Sequence, residues 1–346
     1  MKNNLTILIT SIGGLTSPDI IRAYKENGQY STRIIGVDAF QFPAGLSFVD
    51  IFYKVPDSGD EEFFIRTIEE IVLKEKVDVV VPCGNEDNLV LSKYKRNISA
   101  KIMVGEHSNL LFAYDKGFVY KRLQEDMSEY CPKFYVVKDY TSFIEAINSL
   151  DFPRKKIVLK PRHGRGGRGV YIINGELSFS EIFSMKPTQE YPFDFFNLLL
   201  KKEQKFEELI VMEYLSQPFY SVYSLCKDGK NIISLTHVRE WGNASQTFRG
   251  LAYYDEKIES IATDLIQKFQ LTYTCNMEFG TSQDGKIILF DLNPRIGASS
   301  GIDRDIGLNF PYLALKLLLD EDIYIDKTLF MGQRKFLRFF DYVWMP

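Results

Sequence analysis

Two apolar runs, Val158-Leu159-Lys160 and Val170 to Ile173, are separated only by Pro161-Arg162-His163-Gly164-Arg165-Gly166-Gly167-Arg168-Gly169. Runs this close predict a β-hairpin, and its tip carries four glycines and three arginines. Glycines let a backbone approach an anion closely, and consecutive N–H groups form a concave donor nest. Lys160 adds a point charge from the strand below. The loop therefore reads as a phosphate site, and the plain alternative is a solvated hairpin with a basic tip. The rest of the chain decides between them.

With 346 residues the chain exceeds what one hydrophobic core serves, so more than one domain is expected. The net charge of −4 argues against a nucleic-acid partner, whose binding needs a basic surface. A basic loop in an acidic protein points instead to a small anionic ligand. The apolar run at Leu5 to Thr10 is too short for a signal peptide, and no stretch approaches the roughly 20 apolar residues of a membrane helix. A cytoplasmic protein with no membrane partner is expected. Cys83, Cys131, Cys226 and Cys275 form no CxxC pair, which fits reduced structural thiols rather than a disulfide or zinc framework.

The N-terminal third alternates. Strand Leu5 to Thr10, a turn through Gly13-Gly14, helix Asp19 to Asn27, strand Arg33 to Val37 ending on Asp38, helix Glu61 to Lys74 and strand Val77 to Pro82 predict a parallel βαβ unit. Ligands of such sheets sit beyond the C-terminal strand ends, where Ser11, Gly13, Gly14, Asp38 and Glu86 fall. A nicotinamide site is disfavoured, because Gly13-Gly14 is not GxGxxG and Pro18 stands near the third glycine position. After a short strand at Lys101 to Val104 comes a helix over Asn109 to Glu125, a strand entered through Cys131 to Val137, and a helix through Phe143, Ile147 and Leu150 capped by Thr141. Asn174 to Phe206 reads as a helix with a loop. Strands dominate afterwards, at Glu207 to Met212, Ser221 to Cys226, Asn231 to Arg239, Thr272 to Phe279 and Lys286 to Leu292. Asp228-Gly229-Lys230 and Asp284-Gly285-Lys286 mark hairpin turns, with helices at Lys257 to Phe269 and Phe310 to Leu319.

Two acids stand near the ends of adjacent strands, Glu278 in Asn276-Met277-Glu278-Phe279 and Asp291 in Phe290-Asp291-Leu292-Asn293-Pro294-Arg295. Asp291 and Asn293, two apart, share a strand face, and hairpin pairing brings Glu278 alongside. Three oxygen donors suit a hard cation such as Mg²⁺ shared with phosphate oxygens. The alternative for these residues taken alone is a polar strand end closed by an Asn-Pro turn, but acids buried within apolar strands need pairing, which favours the metal.

Together, Asp115-Lys116, Val158-Leu159-Lys160-Pro161 with its glycine loop, Met212-Glu213-Tyr214-Leu215, Glu278 and Asp291-Leu292-Asn293-Pro294-Arg295 resemble the ATP-grasp superfamily, in particular its carbamoyl-phosphate-synthase-like carboxylate–amine ligases. The resemblance covers nearly the whole chain, including its βαβ opening and a closing strand over Arg338 to Val343. It implies an N-terminal parallel (pre-ATP-grasp) domain over 1–110, followed by a two-lobed ATP-grasp fold with antiparallel sheets. The small lobe with the glycine flap would span 111–215 and the large lobe with the metal site 216–346. It further implies that Lys116 and Lys160 hold ATP phosphates under a flap of Gly164, Arg165, Gly166, Gly167, Arg168 and Gly169. Glu213, Tyr214 and Leu215 would be the hinge that receives adenine. Glu278, Asp291 and Asn293 would hold Mg²⁺, with Mn²⁺ as a substitute, while Arg295 and Arg239 would stabilise the transferred phosphoryl group or the acyl intermediate.

The chain departs from its relatives in offering no carboxylate in Phe219 to Tyr223 for ribose, and in carrying Asp291 where a glutamate is more frequent. The implied reaction is ATP-dependent ligation of a small-molecule carboxylate to an amine. Arg249 and Gly297 to Gly301 are candidate substrate contacts, and a homodimer is the commonest assembly for such chains. The rivals are a small-molecule kinase of the same superfamily and an inactive nucleotide-binding protein. His107, His163 and His237 read as structural or peripheral, because phosphoryl transfer is served by lysine, arginine, metal and backbone donors.

Overall fold

The computed structural model describes residues 4–164, 166–184, 188–203, 205–242, 247–339 and Tyr342. The N-terminal stretch runs β1 (Asn4–Thr10), α1 (Ser17–Lys25), β2 (Ser31–Asp38), β3 (Ile51–Lys54), α2 (Glu61–Glu75), β4 (Val79–Val81), α3 (Asn85–Lys93), β5 (Lys101–Ile102) and α4 (His107–Tyr114). The middle holds α5 (Lys116–Asp126), β6 (Phe134–Val137), α6 (Tyr140–Ser149), β7 (Ile157–Pro161), β8 (Tyr171–Asn174), α7 (Phe179–Ser184), β9 (Glu190–Pro192), α8 (Phe193–Lys202) and β10 (Leu209–Glu213). The remainder is β11 (Ser216–Lys227), β12 (Lys230–Gly242), β13 (Thr247–Tyr253), α9 (Glu256–Phe269), β14 (Tyr273–Thr281), β15 (Ile287–Asn293), α10 (Phe310–Leu318) and β16 (Arg334–Leu337).

Three sheets result. The first is all parallel in the order β3-β2-β1-β4-β5, as the alternating opening predicts. The second, β6-β10-β7-β8-β9, is antiparallel except for the β8–β9 pair. The third has six strands, β15-β14-β11-β12-β13-β16, and pairs β12–β13 and β13–β16 antiparallel. No helix among the described residues is long and apolar enough to cross a membrane.

The chain packs as two compact units. The first comprises Met1–Tyr114, Tyr220–Met277 and Leu292–Pro346, and the second Asp115–Phe219 and Glu278–Asp291. In the first unit the parallel sheet is buried on both faces, as parallel sheets require. One face packs Leu8, Ile35 and Val80 against Phe64, Ile68 and Leu91 of α2 and α3. The other packs Ile7, Ile9 and Val81 into one core with Leu225, Ile233 and Leu235 of β11 and β12 and with Phe310 and Ala314 of α10. In the second unit α6 and α8 cover one face of their sheet through Phe143, Ile147, Phe196 and Leu200 against Ile157, Leu159 and Val211.

Several local expectations are corrected. The single helix over Asn109 to Glu125 is two, because the Asp115 side chain accepts from Phe118 N and starts a new helix at Lys116. Helix α6 is capped not by Thr141 but by Asp139, whose carboxylate accepts from Ser142 N at 2.8 Å in a capping box. Residues 174–206 supply α7, β9 and α8 rather than one helix. The closing strand lies earlier, at Arg334–Leu337, and residues 340, 341 and 343 of the expected one fall outside the described residues.

Candidate active site

In the second unit, the Asp115 cap places Lys116 at the first turn of α5 and Tyr120 one turn later on the same face. On β7 the alternation sends Ile157 and Leu159 into the core and Lys160 to the opposite face. Lys160 Nζ donates to Tyr120 Oη and to the carbonyl of Phe290, both at 2.8 Å, and Tyr120 Oη donates to that carbonyl at 2.6 Å. Lys116 Nζ lies 2.9 Å from Asp291 Oδ1 and donates to Gly164 O at 2.9 Å. Lys116, Lys160, Asp291 and the entry to the glycine loop thus form one cluster. Lys160 is buried, and burial, reinforced by the Lys116 charge and opposed by Asp291, pulls its ammonium down to about 7. Lys116 and Lys160 thus stand together beside Asp291, an arrangement of amines that suits an anion.

The glycines of the loop take conformations that side chains disfavour. Gly167 has φ +71°, and Gly169 has φ +70° with a Cβ position only 2.9 Å from Pro161 Cγ. Arg168 is exposed, while Arg165 lies outside the described residues. The base of the loop is pinned by Arg162, which forks onto Asp115 at 2.7 and 2.6 Å and also pairs with Glu208. A Cβ on Gly117 would stand 2.9 Å from Arg162 Nε, so the bare helix start admits the guanidinium.

At the expected hinge, Glu213 accepts from Lys133 N through its carboxylate at 2.7 Å, and its own N–H donates to Lys133 O at 3.0 Å. Its N–H is therefore committed to the sheet. A cleft of about 430 Å³ opens here, lined by Lys156, Glu213, Tyr214 and Ile288 among others. Glu278 lies on β14, half-buried. Among the described residues no three His, Cys, Asp or Glu side chains cluster as a metal site. The expected donors are two acids and an amide, Glu278, Asp291 and Asn293. All are hard oxygens that fit Mg²⁺, and Asp291 already attracts a cation in Lys116.

The first unit holds Arg239, Arg249 and Arg295. Arg295 Nε donates to Asn85 Oδ1 at the start of α3, and its Nη1 donates to Ile296 O at 2.7 Å. Asn88, one turn along α3, donates to Pro294 O at 3.0 Å. The parallel-sheet helix α3 therefore holds both residues that follow Asn293, which is itself buried. Arg239 Nε and Nη2 donate to Thr247 Oγ1 and Ser221 Oγ at 3.2 and 3.4 Å. Arg249 makes an exposed ion pair with Glu240 at 3.1 Å. The Gly297 to Gly301 loop packs inward, where a Gly297 Cβ would meet the Tyr223 ring at 2.2 Å. Asp38 accepts from Gly13 N and Phe40 N at 2.6 and 2.9 Å, so its oxygens serve the turn and not a ribose. All four cysteines are free, and burial pushes Cys83 and Cys131 up to about 12, far from nucleophilic.

Tyr120, Asn85 and Asn88 are not marked by the sequence, and Arg162 is marked only as one of the loop's three arginines. The i, i+4 spacing of Lys116 and Tyr120 was the one local signal available, since the other three act through partners distant in sequence.

Against known proteins, the family described as "ATP-grasp in the biosynthetic pathway with Ter operon" matches residues 205–333. The chain carries the ATP-grasp fold. It is similar to the carbamoyl phosphate synthase large chain of Xylella fastidiosa, 26% identical over 336 residues, covering 90% of this chain but only 29% of that relative's length. Two solved structures align along most of it. N5-carboxyaminoimidazole synthetase from Staphylococcus aureus, complexed with ADP, has TM-score 0.67 and 16% identity over 94% of this chain and 79% of that one. An L-amino acid ligase from Bacillus licheniformis has TM-score 0.64 and 16% identity over 92% and 75%.

Proposed function

We propose that the chain is an ATP- and Mg²⁺-dependent carboxylate–amine ligase that releases ADP and phosphate, with 1–110 as the pre-ATP-grasp domain, 111–215 the small lobe and 216–346 the large lobe. The observation that carries this reading is the Lys116–Lys160–Asp291 cluster at the root of the glycine loop. The two lysines bind phosphate oxygens, and the backbone of Gly164 to Gly169 covers them. The backbone of the hinge at Glu213 to Leu215 receives adenine, and Tyr214 and Ile288, which line the cleft there, wall the base. Glu278, Asp291 and Asn293 would hold Mg²⁺, which when bound neutralises phosphate charge. A carboxylate oxygen then attacks the γ-phosphorus, forming one P–O bond while the bond to ADP breaks. The amine nitrogen adds to the acyl carbon of the resulting acylphosphate, phosphate leaves with the C–O electron pair, and the nitrogen loses a proton. Arg295 and Arg239 stabilise the charge that moves, which is where preorganised donors accelerate most.

ADP release measured over a matrix of acids and amines tests this. Release that requires both an acid and an amine is expected. A stable phosphoester with no amine requirement would establish a kinase instead, and ATP binding without turnover on any pair would establish an inactive site.

Asn85 follows as a positioning residue. Asn85→Ala is expected to lower kcat about ten-fold, the scale of one lost charge-assisted hydrogen bond, with KM for ATP unchanged. Asn85→Asp, which keeps the acceptor, restores it. Equal loss in both variants, or a matching rise in KM, contradicts the role.

A further inference from the structure

The first unit contains a cleft of about 830 Å³ that the assignments above leave unused. Its floor is one face of the third sheet. Residues directly paired across strands present their side chains to the same face. The pairs His237↔Ala252 and Arg239↔Gly250, continued by Gly250↔Phe336 and Ala252↔Arg334, therefore put Arg239, Ala252 and Phe336 on one face. Phe248 and Arg338 keep the same parity and are tied by Arg338 N donating to Phe248 O. Ala252, Phe248, Phe336 and Arg338 all line the cleft. Arg239 thus shares the sheet face that floors the cleft and stands just beyond its lining, two strands or roughly 10 Å from Phe336. Between them stands Gly250, where a Cβ would come 2.3 Å from Val238 O and 3.1 Å from the Phe336 ring. With no side chain on Gly250, the Phe336 ring leans over that strand toward β12, where its centroid lies 5.1 Å from the His237 ring, two residues before Arg239.

Two chemistries face this space. Phe48, Phe248 and Phe336 supply apolar walls, and the Arg22 guanidinium lies 5.0 Å over the Phe48 ring. Among the lining residues five are Arg or Lys and three are Asp, a surplus of positive charge in a chain whose net charge is negative. Arg338, mostly buried, is oriented by Asp19 at 3.1 Å and Ala298 O at 3.2 Å, yet its buried Nε–H has no acceptor among the described residues. A volume of this size accommodates an extended small molecule, and convergent polar groups in an otherwise apolar pocket fix its orientation.

We propose that this cleft takes the body of the acid substrate, and that the acid is of a definite class: an aromatic or extended apolar core with a second anionic group at the end remote from the activated carboxylate. The reacting carboxylate lies at Arg239, the core on Phe248 and Phe336, and the distal anion at Arg338 and Arg22. The inference rests on the ligase reading for the role of Arg239.

Equilibrium dialysis of the full chain, without nucleotide, separates the two ideas. The probes are 4-(4-carboxyphenyl)butanoate, an aromatic dicarboxylate, and 4-phenylbutanoate, which lacks the distal carboxylate. The dicarboxylate should bind about ten-fold more tightly, the scale of one charge-assisted contact, and Arg338→Met should erase the difference. Should Arg338→Met lower Tm, Arg22→Met on the exposed face of α1 carries the test and should reduce the preference. Equal binding, no binding of either acid, or a preference unchanged in the variants overturns the inference, whatever ADP release shows. Selective binding with no ATP turnover on any amine would leave the cleft assigned and remove the ligase reading.

Discussion

Lys160→Ala is expected to lower ADP release by about three orders of magnitude while leaving the fold intact, the loss measured when one preorganised donor is removed from a reacting anion. The geometry concentrates the effect. Lys160 is buried, so no water replaces its charge, and it is aimed by Tyr120 and the Phe290 carbonyl rather than held by a carboxylate of its own. Asp291→Ala should match it by a different route, since it removes a proposed metal donor and frees Lys116 from its 2.9 Å ion pair. Steady-state ADP release on both variants, with Tm alongside, checks this. Turnover unchanged in both would remove the phosphate site from this cluster.

The second large effect is on stability. Lys160 titrates at about 7 in the folded protein against 10.5 for an ordinary lysine. Between those values the unfolded chain binds more protons than the folded one, so this group makes stability rise with pH across that window. Below pH 7 the lysine is charged in both states, and the whole penalty of burying it is present, on the order of several kcal/mol at about 1.4 kcal/mol per unit. Only above pH 10.5, where both states hold a neutral amine, has the penalty gone. Lys160→Met, similar in length and uncharged, should therefore raise Tm at pH 6, with the gain shrinking steadily as pH rises past 7. A gain that is the same at pH 6 and pH 9.5 would contradict a desolvated ammonium, and nucleotide binding should reduce the gain by supplying the missing negative charge.

The same residues show what a linear sequence carries. The parallel opening was legible because β1, β2 and β4 are short apolar runs punctuated by turn residues, and the β7–β8 hairpin because its glycines leave little else for that loop to be. Strands β3 and β13 were missed: Ile51–Lys54 is four residues long, and Thr247–Tyr253 mixes Arg and Gly into its run. The break at Asp115 was hidden because the residues on both sides of it form helix, and only the cap geometry separates α4 from α5. Within the site, Lys160 and Asp291 are named by local patterns, and Lys116 by the family resemblance. Their supports are not. Tyr120 meets Lys160 across 40 positions, Arg162 meets Asp115 across 47 and Asn85 meets Arg295 across 210, pairings that exist only once the chain has folded. The cleft beside Arg239 was equally invisible, since its floor depends on the register of three strands.

The central claim is that a carboxylate is activated by phosphorylation, and hydroxylamine tests it most directly, because it intercepts an acylphosphate as a hydroxamate. With ATP, Mg²⁺ and an acid that supports ADP release, but with the amine replaced by hydroxylamine, hydroxamate should form in step with ADP, one for one, and neither should form with Lys160→Ala. ADP released with the acid present but no hydroxamate at any hydroxylamine concentration would contradict the account.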